Sequence, residues 1–357
     1  MRRFRFLRVS KMLLLCNIDY DGSEIVQSGM FRGPVAVVVF VCCAIYFFSR
    51  LYHDLSSTFV EMYSYLGNVA VTYLTVLFVV VEHFVRRNRM FSLGKLMLDY
   101  VKDRDDHSKE ESQFDVGKFM IRAQIGIVVV SSTLLSVVKF RINMSYFSFW
   151  ECLVILVLSL SFVYALGNLI FIQFFTHFIC WEMQQLTLNL RCAPIQRSIN
   201  CFDQLIVIKR YLGVTLGVRL LLTLFQLIVN VSYSSYIPLL YMPERQLAEN
   251  LDTLHTLATM LLNNTLVLFG VTYSFDRVQT EEQEFKNAIK SLQYEATEEH
   301  SEDYLNFLDL INLKLMTESP KITACGLFTV NLQVFYNVFA AIVTYIMILF
   351  QFRDFEK

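Results

Sequence analysis

The sequence predicts an all-α membrane protein with seven transmembrane helices, a cytoplasmic amino terminus, an extracellular carboxyl terminus and an inner helical anchor region. Three observations carry this prediction. The 357 residues are 55% hydrophobic and only 18% charged, with a mean hydropathy of +0.46, too apolar for a soluble chain of this length. Seven apolar runs bounded by charges or turn residues are each long enough to cross or nearly cross a hydrocarbon core of about 30 Å. With the amino terminus inside, 25 of the 31 Lys and Arg residues fall on the cytoplasmic side, as the positive-inside rule requires.

Taken in order, residues 1–33 carry Arg2, Arg3, Arg5, Arg8, Lys11 and Arg32. Their apolar run at 12–16 is too short for a secretory signal sequence, so the segment reads as a cytoplasmic tail. The spans fall near 34–51, 60–84, 120–140, 149–181, 216–242, 255–276 and 325–352. Residues 34–276 thus form a six-helix bundle with long inner loops. The outer connections 52–59 and 141–148 are short enough for helical hairpins, which leaves most of the non-membrane mass inside. Trp150 and Trp181 are separated by roughly 46 Å along one helix, so span four continues past the inner interface.

Residues 277–324 read as cytoplasmic helices that bundle beneath the membrane. The first part is rich in Glu, Gln and Lys, with Glu282, Lys286 and Lys290 at successive four-residue steps, the mark of a solvated helix. Tyr304, Leu308, Ile311 and Leu315 then form an apolar stripe that stops before Ser319 and Pro320. Eleven acidic residues between Asp276 and Glu318 read as a solvated surface, or as a local field that concentrates cations.

Span 325–352 is uncharged, yet its polar members are ordered. Asn337, Thr344 and Gln351 recur every seven residues, with Ala341 and Ile348 between them, so they share one narrow stripe. Lipid disfavours such a stripe. It faces either other helices, through amides and small residues, or the water of a pore, and spacing leaves both open. Residues 353–357 would form a short extracellular tail.

The end of this span, Thr344 and Tyr345, then five apolar residues, then Gln351 and Phe352, resembles the signature of the insect gustatory receptors, relatives of the insect odorant receptors. The resemblance implies a tetrameric, ligand-gated, non-selective cation channel in the plasma membrane of sensory neurons, dendrites included. The last helix would line the pore and Gln351 and Phe352 would lie near its gate. Partners would be a small organic tastant and the other subunits of a homo- or hetero-tetramer. The inner helices would be the anchor through which subunits associate. Sugar-responsive members tend to carry an acidic residue directly after the Thr-Tyr pair; Ile346 stands there, which favours bitter or aversive tastants. The alternatives are a secondary transporter, for which twelve Gly, five Pro and no internal repeat give little support, and a co-receptor subunit that conducts only with partners.

A ligand pocket among the outer halves of the spans would draw on Tyr63 and Tyr65 of span two, Trp150 and Glu151 of span four, Asn230, Tyr233 and Tyr236 of span five, and Asn263 and Asn264 of span six. Trp150 and the tyrosines equally suit an interfacial belt, and Glu151 can pair with Lys139 or Arg141. Asn143 heads a glycosylation triplet in the second outer connection. Eight cysteines, none in a Cys-x-x-Cys spacing, and six isolated histidines form no metal motif, and no nucleophile elbow or phosphate-binding loop is present. No cofactor and no enzymatic activity are expected.

Overall fold

The computed structural model describes residues 18–20, 24–27, 59–105, 149–190, 194–241, 251–296, 302–317 and 320–355. The first and third expected spans and Asn143 lie outside them. The described chain forms seven helices: α1 (Phe59–Val85), α2 (Arg87–Asp105), α3 (Phe149–Asn189), α4 (Ile195–Tyr241), α5 (Leu251–Ala296), α6 (Glu302–Thr317) and α7 (Leu332–Phe355). Two small antiparallel hairpins accompany them. β1 (Ile18–Tyr20) pairs with β2 (Ile25–Gln27), Asp19 opposite Val26, and lies against α2. β3 (Thr323–Ala324) pairs with β4 (Phe328–Thr329) and lies against α4.

Length explains the architecture. Helices α3, α4 and α5 have 41, 47 and 46 residues, roughly 60–70 Å each at about 1.5 Å per residue. Each is twice what a bilayer needs, so each continues as one helix into the inner region. The expected boundary at 276/277 falls inside α5. Among the described residues Ile195–Tyr236 is long and apolar enough to cross a membrane, and Ala70–Glu82 and Leu332–Ile348 are shorter apolar stretches.

Helix α4 touches α1, α2, α3, α5, α7 and β3. Its apolar residues Phe202, Leu205, Leu212, Leu216, Leu220, Leu224 and Leu227 are buried in the main core, with Phe171, Phe175 and Phe178 of α3 and Phe275 and Phe285 of α5. Phe202 stacks on Phe285, ring centroids 4.5 Å apart. On α6, Leu308, Ile311 and Leu315 are buried and Tyr304 is half-buried, matching the stripe read from the sequence, and the helix ends before Pro320.

Two expectations change. Helix α7 begins at Leu332, not at 325: residues 325–331 form the β3–β4 turn, strand β4 and a cap. Cys325 and Gly326 both have positive φ, 54° and 77°, the backbone that turns a short hairpin, and the Leu327 amide donates to the Ala324 carbonyl at 3.0 Å. Asn331 caps the helix through the Val334 amide. The Leu332 amide donates to Asp276 of α5 at 3.4 Å. The second change concerns the helix after span six, which is not evenly solvated. Glu281 and Glu282 are buried; Glu282 pairs with Lys209 of α4 and with Lys286 at 2.9 Å. Packing against α4 selects that face of α5.

Ion pairs tie the bundle at other levels. Arg219, 1% exposed, donates to Glu82 of α1 at 2.9 Å and lies over the Phe171 ring at 5.7 Å. Arg104 pairs with Glu182 and stacks over Trp181, while the Tyr100 hydroxyl donates to Glu182 at 3.3 Å. Burial first, and the Glu182 charge second, push the Tyr100 phenol well above its ordinary pKa.

Removing one partner of a buried pair strands a charge, at a cost of about 3–5 kcal/mol, whereas replacing both by apolar residues is often neutral. Arg219→Met is therefore expected to lower the Tm of the detergent-solubilised protein sharply, and Glu82→Met with Arg219→Met to recover most of it. Size-exclusion profiles of heated samples check this, and equal loss in the single and double variants would refute the pairing.

Candidate pore face and buried polar seam

Helix α7 meets its own subunit along one edge. Ile342 is buried, Phe335, Val338 and Ile346 are half-buried, and these four repeat at three- and four-residue steps. They face α5 and α4. Phe335 meets Phe269 of α5 edge-on at 5.4 Å. At 3.6 residues per turn, Asn337, Ala341, Thr344, Ile348 and Gln351 lie on average about 145° from that edge, Thr344 and Gln351 nearly opposite it and Ala341 about 105° away. All five are exposed in the subunit. Among the described residues, Gln333 donates to Asn337 at 2.9 Å and the Thr344 hydroxyl to the Ala340 carbonyl at 2.8 Å, both within the helix. Beside the stripe runs an exposed apolar ridge of Tyr336, Phe339, Val343 and Met347. The side chains of Tyr345 and Phe352 lie outside those described.

A second feature was not anticipated from the sequence. Thr215, Arg219, Thr223, Gln226, Asn230 and Ser234 of α4 are all buried, and their steps of four, four, three, four and four keep them on one face. This seam meets polar groups of α1 and α3. Asn168 donates to Thr223 at 3.0 Å and Gln226 to Thr72 at 3.4 Å. Among the described residues the side-chain oxygens of Asn168, Gln226 and Asn230 are buried without a hydrogen-bond partner. Such acceptors await donors. The signal that could have found it was the polar periodicity inside span five, with Arg219 one turn inside its start.

Of the expected pocket residues, Asn230 belongs to this seam, and Tyr233 and Tyr236 are half-buried one and two turns beyond it. Asn263 and Asn264 are half-buried on α5, where the Asn263 oxygen and the Thr265 hydroxyl are also buried without partners. Tyr63 and Tyr65 lie on α1 and Trp150 and Glu151 on α3, with side chains outside those described.

A family model described as "7tm Chemosensory receptor" matches residues 34–356, almost the whole chain. The chain belongs to the 7tm chemosensory receptor family. The fold agrees. The insect olfactory receptor OR5 from Machilis hrabei is similar in structure with a TM-score of 0.63 at 12% identity, covering 98% of this chain and 100% of that one. The same receptor in complex with eugenol gives 0.62 at 11% identity, with 98% and 99% covered. No curated protein sequence matches. The seven-transmembrane fold expected from the sequence is thus the fold of this chemosensory receptor, and the likeness read from Thr344, Tyr345, Gln351 and Phe352 was to the right family.

An unpaired buried amide costs about 1–3 kcal/mol, so Asn230→Leu is expected to leave the Tm of the solubilised receptor equal or raised. A Tm drop comparable to that of Arg219→Met would mean that Asn230 is structurally engaged and its oxygen not available.

Proposed function

We propose that this receptor is a gustatory, ligand-gated, non-selective cation channel, assembled as a homo- or hetero-tetramer in the plasma membrane of sensory neurons. The observation that carries the reading is the placement of Asn337, Thr344 and Gln351 away from the edge by which, among the described residues, α7 packs on its own chain. A polar stripe turned away from the subunit is unfavourable in lipid and suits an axis shared by copies of α7. The ridge of Tyr336, Phe339, Val343 and Met347 would pack against the neighbouring copy, and Gln351 and Phe352 would form the constriction, Phe352 by dewetting.

The ligand is a small organic molecule held in the bundle, with Asn230, Tyr233, Tyr236, Asn263 and Asn264 as contacts. OR5 has been solved with eugenol, and the unpartnered oxygens of the seam suit a compact apolar molecule bearing a hydroxyl or amine donor. Ile346, in place of an acidic residue, favours an aversive tastant over a sugar. Ligand would open the pore by binding the open arrangement more tightly than the closed one.

In voltage-clamped cells expressing the receptor, Phe352→Ser is expected to raise ligand-free cation current severalfold. Thr344→Cys in a background lacking other reactive cysteines should let a water-soluble thiol reagent reduce the current, while Ile342→Cys, on the packed edge, should not. Unchanged basal current in a correctly surfaced Phe352→Ser receptor sinks the gate, and solute uptake without single-channel steps sinks the channel.

A further inference from the structure

A cavity of about 270 Å³ lies where α4 leaves the expected span five on the cytoplasmic side, walled by Arg86, Lys209, Arg210, Gly213, Val214, Gly217 and Val218 and by the hairpin residues Pro320, Lys321, Thr323, Cys325 and Gly326. Four of these twelve are cationic and none is acidic. Two cations are already balanced: Arg86 by Glu82 at 3.4 Å and Lys209 by Glu282. Arg210 and Lys321 are not. Both are exposed, and neither has a carboxylate partner among the described residues. One stands on α4 and the other on the strand entry that leads into β3, so they approach the cavity from two separate elements.

The walls explain why the space stays open. A side chain at Gly217 would place its first carbon 3.3 Å from the Cys325 amide nitrogen, and one at Gly213 would reach 3.9 Å from Ile322. Gly217 thus lets the hairpin seat closely on α4 with the basic groups around it, whereas the distance at Gly213 is an ordinary contact. At about 270 Å³ the space falls just below the range of roughly 300–1000 Å³ typical of pockets for whole organic ligands. It is large enough for a phosphate and its ester carbons. Above Arg210, Val214 and Phe225 are exposed and Val218 and Leu221 are half-exposed, an apolar track at three- and four-residue steps toward the membrane interior.

We propose that this cavity binds a phosphate-bearing anion at the cytoplasmic membrane surface, with Arg210 and Lys321 as its direct ligands and Arg86 and Lys209 supplying field. Guanidinium and ammonium donors to phosphate make charge-assisted hydrogen bonds, and the inner leaflet supplies anionic headgroups at this depth. The apolar track beneath which the cations sit suits the acyl chains of such a lipid; a soluble organic phosphate presents the same chemistry without them. By bridging Arg210 and Lys321, the anion would clamp the hairpin that precedes α7 to α4. This site stands whether or not α7 conducts.

The test uses the full-length receptor in phosphatidylcholine nanodiscs with and without phosphatidylinositol 4,5-bisphosphate, and separately with soluble inositol trisphosphate or inorganic phosphate. Cys325, a free exposed thiol in the cavity wall, reports occupancy through its alkylation rate, read by peptide mass spectrometry beside direct binding of a fluorescent phosphoinositide. Occupancy should slow alkylation of Cys325. Arg210→Gln with Lys321→Gln should weaken binding about tenfold or more, since each basic group near an anionic surface contributes appreciably, while Lys290→Gln, exposed elsewhere on α5, should not. Protection by the lipid alone assigns a headgroup site, and protection by the soluble anions as well assigns a general organic-phosphate site; both support the proposal. Alkylation insensitive to every anion, or binding unchanged in the double variant with a normal size-exclusion profile, overturns it.

Discussion

Everything about the last helix follows from how little of it the subunit holds. Phe335, Val338, Ile342 and Ile346 face α5 and α4, Leu332 and Val334 of the first turn are half-buried, and the other described side chains of α7 are exposed. Among the described residues this apolar helix has one packed edge. Contiguous exposed apolar surface beside a polar stripe marks contact with lipid on one side and with protein or water on the other. The proposed tetramer would cover that side by closed symmetry.

Inside the bundle the opposite condition holds, because α4 is enclosed on most sides and still carries charge. Arg219 with Glu82, and Lys209 with Glu282 and Lys286, join α4 to α1 and α5, and Arg104 with Glu182 joins α2 to α3. Buried pairs of this kind contribute little net stability against an apolar alternative. Their effect is on register. Leucine-rich helices can slide past one another at small cost, but a slide that separates Arg219 from Glu82 leaves two charges without compensation.

Much of this was legible in the sequence. Seven apolar runs, the asymmetry of Lys and Arg, the stripe from Tyr304 to Leu315 and the stop at Pro320 are local or periodic signals, and local signals survive folding. The Asn337, Thr344 and Gln351 stripe was legible as a stripe, but which way it faced depends on the partners of Ile342, and those are distant in sequence. The start of α7 was misplaced because 325–331 is as apolar as a helix, and only the paired positive φ at Cys325 and Gly326 with the Asn331 cap reveals a hairpin there. The seam on α4 was hidden because Thr, Gln, Asn and Ser at single positions in an apolar span resemble tolerated exceptions until their common face is counted. Glu282 resembled a solvated residue for the converse reason: an Glu-Lys ladder reads as surface, and the intruding Lys209 comes from another helix.

The route by which the bundle can act on α7 is narrow. Contacts to α7 come from α5 and α4, and the chain enters it through a hairpin whose turn rests on Gly217 and whose last residue, Asn331, caps the helix while Asp276 receives the Leu332 amide. These fix the first turn. Beyond it, the contact edge has no ion pair and no hydrogen bond to another helix among the described residues, so α7 can tilt about its start at the cost of a few apolar contacts. A ligand shifts such an equilibrium only through elements that touch both it and the moving part. Helix α4 is such an element: its buried polar face looks into the bundle, and its remaining contacts reach α7 and the hairpin. Under the proposed reading, a ligand in the seam would act on α7 through small displacements of α4 or α5, and the close seat of the hairpin on Gly217 is where a displacement of α4 would be felt first.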